Sequence, residues 1–393
     1  MKKNMRGLTS AILSISLLTV MAGAAMAPAL GAIKEHFASS SPLTVQFIVS
    51  LPALTIIITT FLFRPLCRLM RSRTLALAGL TLYVAAGAGA FFVDDIAALL
   101  ALRALLGVSV GMVMPLSTGL LSYYFPPEEQ SRLMGLSAAM NQMGGVVATL
   151  LAGLLATVEW RYAFLVYLFG LLAVILVVLF LPNEQLQQDR DSQPLHSQLS
   201  LFGLLKKFHP SVTAMLFIML LFFVYPTNFA LTAREQGVDT LAATLIMVGL
   251  DVVAFAIGLC FGWLMRHLRR QMKYVAPLGF MAGYAVLASV PGLAGMVLGS
   301  ALIGVANGVG VPYVNTIASI KGGREAAVTV MPLISASLYL GQFLSPLVVS
   351  PLASLAATAT APYWVAAAIA VLFLLQMYLT RGKQALPPAA ERA

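Results

Sequence analysis

Charge is scarce along this chain. Asp, Glu, Lys and Arg make up 10% of its 393 residues, against roughly 25% in soluble globular domains, which excludes a water-soluble protein of ordinary composition. Acidic residues are the scarcest, 14 against 24 Lys and Arg. There are two cysteines, Cys67 and Cys260, with no paired framework or metal-ligand spacing, so no disulfide scaffold or metal centre is expected. No glycine-rich phosphate loop and no nucleophile with an adjacent base emerges either, which argues against an ATP-driven pump, an enzyme or a resident cofactor.

Apolar residues are abundant, 60% of the chain, with a mean hydropathy of +0.91. Apolar runs of 18 or more residues recur along the whole length, each long enough to cross a hydrocarbon core of roughly 30 Å. Twelve spans are expected, near 8–33, 43–63, 74–93, 97–122, 132–157, 161–182, 211–232, 240–264, 274–290, 292–318, 327–353 and 361–380. The polar, mixed-charge stretch 183–210 divides an N-terminal six-helix bundle, 1–182, from a C-terminal one, 211–393, and carries an amphipathic segment from Leu199 to Phe208. The fold class expected is an all-α membrane protein of two pseudo-symmetric bundles.

The basic residues fix an orientation. With the N-terminus cytoplasmic, 20 Lys and Arg fall on that side, Lys34, Arg161 and Arg234 fall on the other, and Arg103 lies within the membrane. This bias puts both termini and the linker in the cytoplasm. It also explains the net charge of +10 as topology, so no nucleic-acid partner is expected. Lys2, Lys3 and Arg6 ahead of an apolar run resemble a signal peptide, but Pro28 would lie just after a cut and is matched later in the chain, which favours a retained first helix.

The match is part of an internal repeat. Leu102–Ser122, LRALLGVSVGMVMPLSTGLLS, returns as Ala301–Ser319, ALIGVANGVGVPYVNTIAS, with Gly107, Gly111 and Pro115 echoed by Gly304, Gly308 and Pro312 at an offset of 197. Pro28 is answered by Pro226, Arg68 by Arg266 and Gly144 by Gly341 at 197 or 198. Small residues four apart let another helix approach closely, and the proline removes a backbone hydrogen bond. Two segments sharing this frame in matching halves are a transporter's layout, with the site between the halves.

Two ionisable residues fall well inside spans. Asp251 lies about 18 to 22 Å along its helix from Asp239 or Arg266, and Arg103 about 12 Å from Asp95. A charge there costs a few kcal/mol on the lenient insertion scales, roughly 3, so each must face a cavity or a partner. Asp251 can become neutral, as a proton-coupling carboxylate must; the alternative is a carboxyl held at a helix interface, with Asn141 or Gln142 as partners. Arg103 is either a coupling residue or a structural clamp. If spans 1, 4, 7 and 10 line the cavity, Ser109, Met112, Ser117, Tyr225, Thr227, Asn228, Asn307, Tyr313 and Asn315 can reach it, a wall suited to a bulky, partly apolar substrate.

The chain resembles the major facilitator superfamily over nearly its full length, in particular its twelve-span drug and metabolite exporters. Arg103, Gly107 and Gly111 match that family's fourth-span motif, with Leu106 and Ser109 replacing Gln and Gly; Trp160, Arg161 and Phe164 match the pair at the start of its sixth span. The resemblance implies two bundles rocking about a central cavity, driven by a proton gradient, with Arg103 taking part in coupling. Departures are specific. In RPLCRLMRSRT, Arg64 and Arg68 stand where the family has glycine and an acid, and Arg266 again replaces the acid after Gly262. The fifth-span antiporter motif survives as Gly144, Ala148, Thr149, Ala152 and Gly153, its echo as Gly341, Ser345 and Pro346, and the first span lacks a membrane carboxylate.

The leading expectation is a monomeric, proton-coupled multidrug or metabolite antiporter of a bacterial-type inner membrane. It would move small amphipathic compounds outward by alternating access. Alternatives are a siderophore or metallophore exporter, an organic-anion importer with Arg103 as the anion's partner, and a lipid flippase or membrane sensor.

Overall fold

The computed structural model describes residues 2–185, 201–322, 330–356 and 358–380, and among them every regular element is helical. Chains that cross lipid must satisfy each backbone N–H and C=O internally, and helices do this within one segment. The helices are α1 (Lys2–Ala24), α2 (Leu30–His36), α3 (Pro42–Leu69), α4 (Ser72–Gly89), α5 (Ile96–Tyr124), α6 (Pro127–Ala156) and α7 (Phe169–Phe180). Then come α8 (Leu201–Glu235), α9 (Thr240–Leu259), α10 (Phe261–Leu268), α11 (Met272–Ser289), α12 (Leu293–Gly322), α13 (Met331–Ala353) and α14 (Ala361–Leu379). Side-chain caps start α3 and α5: Ser41 Oγ accepts from Thr44 N at 3.1 Å and Asp95 from Ala98 N at 2.8 Å.

Eleven of the described helices are long and apolar enough to cross a membrane. The ninth expected span is α11, whose 18 residues include Lys273, Tyr274, Pro277 and Tyr284 and so fall short in hydropathy; with it the twelve-span fold is complete.

Several boundaries depart from expectation. The first span, read as one helix over 8–33, breaks at 25–29: Pro28 has no N–H and its ring conflicts with the carbonyl four residues back, that of Ala24, where α1 ends. Its counterpart Pro226 does not break α8. There Thr227 Oγ1 donates to Phe223 O at 2.6 Å and Asn228 Nδ2 to Val224 O at 2.9 Å, bracing the helix through the proline. The sixth span begins as a 3₁₀ stretch, Trp160–Leu168, before α7. The amphipathic segment is continuous with the seventh span from Leu201 onward, and the eighth ends early, at Leu259, with α10 set off after Cys260. Linker residues 186–200 and the tail 381–393 lie outside the described residues.

The chain divides into two compact units, Met1–Gln188 with Asp239–Leu245, and Asp189–Val238 with Ile246–Ala393. In the first, a side-chain carbon at Gly107 would lie 2.4 Å from Pro52 O of α3, and one at Gly144 2.1 Å from Leu17 O of α1. In the second, one at Gly304 would lie 2.7 Å from Leu250 O of α9, and one at Gly341 2.6 Å from Leu216 O of α8. The repeated glycines therefore mark the same helix pairs in both units, with backbones close enough to exclude a methyl group. Pro115 and Pro312 sit inside unbroken helices, four residues after Gly111 and Gly308.

The loop whose acid is missing is laced to the segment after α7. Ser72 N donates to Glu184 O at 2.8 Å, Gln185 Nε2 to Arg68 O at 3.0 Å and Tyr124 OH to Glu184 Oε2 at 3.3 Å.

Candidate functional site

Arg103 is wholly buried in the first unit. Its Nε donates to Ile48 O at 2.7 Å, Nη1 to Tyr167 OH at 2.6 Å and Nη2 to Ala22 O at 2.8 Å; Tyr167 OH in turn donates to Ala22 O at 3.0 Å. The backbone explains these acceptors. The residue four after Ile48 is Pro52, which has no N–H to give, and Ala22 falls in the last turn of α1, where carbonyls lose their helical donors. A guanidinium has donors fanned in fixed directions and stays charged, so one side chain can serve all three. Tyr83 extends the cluster, donating to Leu18 O at 3.2 Å with its ring 5.6 Å from that of Tyr167.

The second unit repeats this arrangement without the arginine. Ser300 stands 197 residues after Arg103, Tyr363 stands 196 after Tyr167 and Tyr284 stands 201 after Tyr83. The rings of Tyr284 and Tyr363 stack at 6.0 Å, Tyr284 OH donates to Leu221 O, and Tyr225 OH pairs with Ser300 Oγ at 2.7 Å. No proline interrupts α9, so the carbonyl that Pro52 orphans has no counterpart there, and α8 runs on unbroken past Leu220, the residue that matches Ala22. Asp251, half-buried on α9, lies within electrostatic reach of the Tyr225 hydroxyl.

The expected cavity residues divide into two groups. Ser109, Thr227 and Asn228 are buried and spend their donors on their own helices, Ser109 Oγ on Leu106 O at 2.7 Å. Ser117 Oγ likewise donates to Met114 O at 3.0 Å, and Tyr313 is buried. Asn141 is half-buried and accepts from Thr19 at 2.7 Å, beside a Ser16–Ser137 pair also at 2.7 Å. Gln142 is exposed, and Met112 and Asn315 are half-buried. Asn307 is half-buried too, and among the described residues its Oδ1 has no hydrogen-bond partner. Among the described residues no group of His, Cys, Asp and Glu could hold a metal ion.

Tyr83, Tyr167, Tyr284, Tyr363 and Ser300 are absent from the sequence reading. The signal was present: the repeat offset maps one cluster onto the other, and Pro52 predicts an orphaned carbonyl at Ile48.

At one end of the first unit, Asp94 accepts from Arg161 Nη2 at 2.7 Å and His36 Nε2 at 2.6 Å. The Arg161 guanidinium stands over the Trp160 ring, 5.3 Å from its centroid. Hydrogen bonds from Arg161 and then His36 hold the Asp94 carboxyl below its ordinary range. The contribution of a depressed carboxyl is present above its unfolded pKa and lost as pH falls through its folded one. Asp94→Asn should therefore lower the melting temperature slightly at neutral pH, and the difference from wild type should shrink as pH falls below the ordinary carboxylate range; a difference independent of pH would show that the carboxylate is not the cause.

The chain spans less than a fifth of the length of the curated relatives it matches. It is 34% identical over 102 residues, 26% of this chain and 19% of the relative, to a probable anion transporter 4, chloroplastic, of Arabidopsis thaliana. It is 37% identical over 87 residues, 22% of this chain and 17% of the relative, to sialin of Ovis aries. Among solved structures it is similar to a bacterial homologue of the human lysosomal transporter Spinster, with a TM-score of 0.79 at 14% identity over 99% of this chain and 100% of that one. The nucleoside transporter NupG matches with a TM-score of 0.74 at 13% identity over 96% and 99% of the two chains. These likenesses establish the fold, and a sequence profile matching residues 12–346 establishes the family: this multi-pass membrane protein belongs to the Major Facilitator Superfamily.

Proposed function

We propose that this transporter is a proton-coupled exporter of small amphipathic organic compounds, working as a monomer by alternating access in a bacterial-type inner membrane with both termini cytoplasmic. The observation that carries the reading is Asp251: among the described spanning helices it is the one acidic residue away from a helix end. A half-buried carboxyl pays for its charge by desolvation and is therefore responsive to a proton or a cationic substrate. One proton moving inward down 100 mV releases about 2.3 kcal/mol, enough for roughly a fifty-fold gradient of a neutral compound. Ser109, Thr227 and Asn228 are committed to their own helices, which leaves few polar groups for a ligand, chiefly Asn307, Asn315 and Gln142. That balance supports a largely apolar substrate. Arg103 supports the cycle by tying α1, α3 and Tyr167 together.

The test is proton movement in everted vesicles holding an imposed pH gradient, challenged with cationic, zwitterionic and anionic amphipaths. Cationic compounds are expected to dissipate the gradient with wild type and to lose that effect with Asp251→Asn. Equal responses in the two proteins, or none in either, would overturn Asp251 as the coupling group. A second reading, organic-anion transport, draws on the similarity to an anion transporter and to sialin; a response to anions alone would favour it. Against it stands the burial of Arg103, whose Nε, Nη1 and Nη2 each already donate to a protein oxygen.

A further inference from the structure

The second unit holds a run of buried hydroxyls between Asp251 and the end of α8. Tyr225 OH and Ser300 Oγ form the inner pair at 2.7 Å, with Asp251, Tyr284 and Tyr363 all within electrostatic reach of Tyr225. Gly304, one turn after Ser300, packs on the carbonyl of Leu250, the residue before Asp251, which keeps α12 and α9 in register at this level. Toward the other end, the Tyr363 hydroxyl is buried without a well-formed hydrogen bond among the described residues. It faces the Thr232 hydroxyl and lies within reach of exposed Glu235; Thr232 donates to Ala359 O at 3.4 Å. Phenylalanine would fill the volume of Tyr363 without leaving a polar atom unpaired, so its hydroxyl calls for a role beyond packing. Asn307 contributes another oxygen on the Ser300 helix that is unpaired among the described residues.

We propose that Thr232, Tyr363, Tyr225 and Ser300 form the proton path between Asp251 and the membrane face where α8 ends at Glu235. It rests on the reading of Asp251 as the coupling carboxylate. A hydroxyl both accepts and donates, so each member takes a proton on an oxygen lone pair and releases its own to the next. Transfer between neighbours that do not touch requires a bridging water, of the kind that serves other buried polar groups. For each proton taken at Glu235, one O–H bond forms and one breaks at every hydroxyl, none is left ionised, and Asp251 changes from carboxylate to carboxylic acid. In the transport cycle Asp251 gives up its proton toward the opposite face, and the hydroxyls rotate back before the next proton enters. The matching place in the first unit cannot do this: Arg103 is a permanent cation with its donors committed to three oxygens.

The experiment needs no known substrate. Full-length protein in lipid nanodiscs is given a rapid pH jump, and infrared difference spectroscopy follows the carboxylic acid band as Asp251 gains its proton. Loss of that band in Asp251→Asn assigns it; a band unchanged in Asp251→Asn would overturn the coupling reading itself. With the band assigned, Tyr225→Phe, Tyr363→Phe and Ser300→Ala are expected to slow its rise about a hundredfold, the lower end of what a positioned proton-transfer group contributes, at unchanged amplitude. Tyr284→Phe, whose hydroxyl is spent on Leu221 O, should leave the rate as in wild type. Unchanged rates in the first three variants, or equal slowing in Tyr284→Phe, would overturn the path and leave Asp251 as the coupling group. Should a tyrosine variant fail to fold, Ser300→Ala and Thr232→Val carry the same prediction.

Discussion

Replacing Arg103 by alanine should cost the first unit about 3 kcal/mol of stability, read as a lower midpoint when the protein is unfolded by denaturing detergent in mixed micelles. The expectation comes from two carbonyls. Ile48 O has lost its helical donor to Pro52 and depends on the guanidinium, while Ala22 O, in the last turn of α1, shares the guanidinium with the Tyr167 hydroxyl. An unsatisfied buried acceptor costs about 1 to 3 kcal/mol, Ile48 O is left so, and Ala22 O and Tyr167 OH each lose a charge-assisted bond worth about 1.5 kcal/mol or more. Opposing this, alanine removes a charge whose burial is itself unfavourable by several kcal/mol, roughly 3 or more, so the net falls below the sum of the lost bonds.

Two companion variants separate the contributions. Arg103→Lys keeps the charge but offers one compact donor in place of a fork, and should destabilise at least as much as alanine. Pro52→Ala returns an N–H to Ile48 O, so Arg103→Ala should cost about 1 kcal/mol less on a Pro52→Ala background than on wild type. Strictly additive losses would show that Arg103 does not serve the proline-orphaned carbonyl.

The glycine and proline frame was readable because its physics is local. Gly107, Gly111, Gly304 and Gly308 are small wherever two helices approach, and their spacing is a property of one helix face. The apolar runs were readable for the same reason. The break at 25–29 was only half legible: Pro28 announced it, but Pro226 sits in the same register and its helix continues, a difference made by the side chains of Thr227 and Asn228. The tyrosine clusters were the least legible, since Tyr83, Tyr167 and Arg103 come from three separate segments and each reads alone as ordinary packing. Only the offset that places Ser300 against Arg103 and Tyr363 against Tyr167 connects them in sequence.

Alanine in place of Gly107 should destabilise the first unit by about 2 kcal/mol, although alanine is the better helix former by about 1 kcal/mol. The new carbon would lie 2.0 Å from Thr55 Oγ1, 2.4 Å from Pro52 O and 2.8 Å from Pro52 Cα. A threonine side chain can rotate; a helix backbone cannot, so α3 must move as a body. Thr55 Oγ1, which donates to Ala104 O across the interface at 2.9 Å, would lose that bond as the helices part. Gly119 on the same helix is the control: nothing lies within 4 Å of its added carbon, so Gly119→Ala should be neutral or stabilising by up to about 1 kcal/mol. If both variants shift stability alike, the close approach of α3 and α5 is not what Gly107 provides. In the second unit the same substitution tests the proposed role of Asp251. A carbon at Gly304 would meet Leu250 O at 2.7 Å and push α9, which carries Asp251, away from Ser300. Gly304→Ala should therefore alter the kinetics of Asp251 protonation without removing a polar atom, whereas Gly249→Ala, with open space around the added carbon, should not.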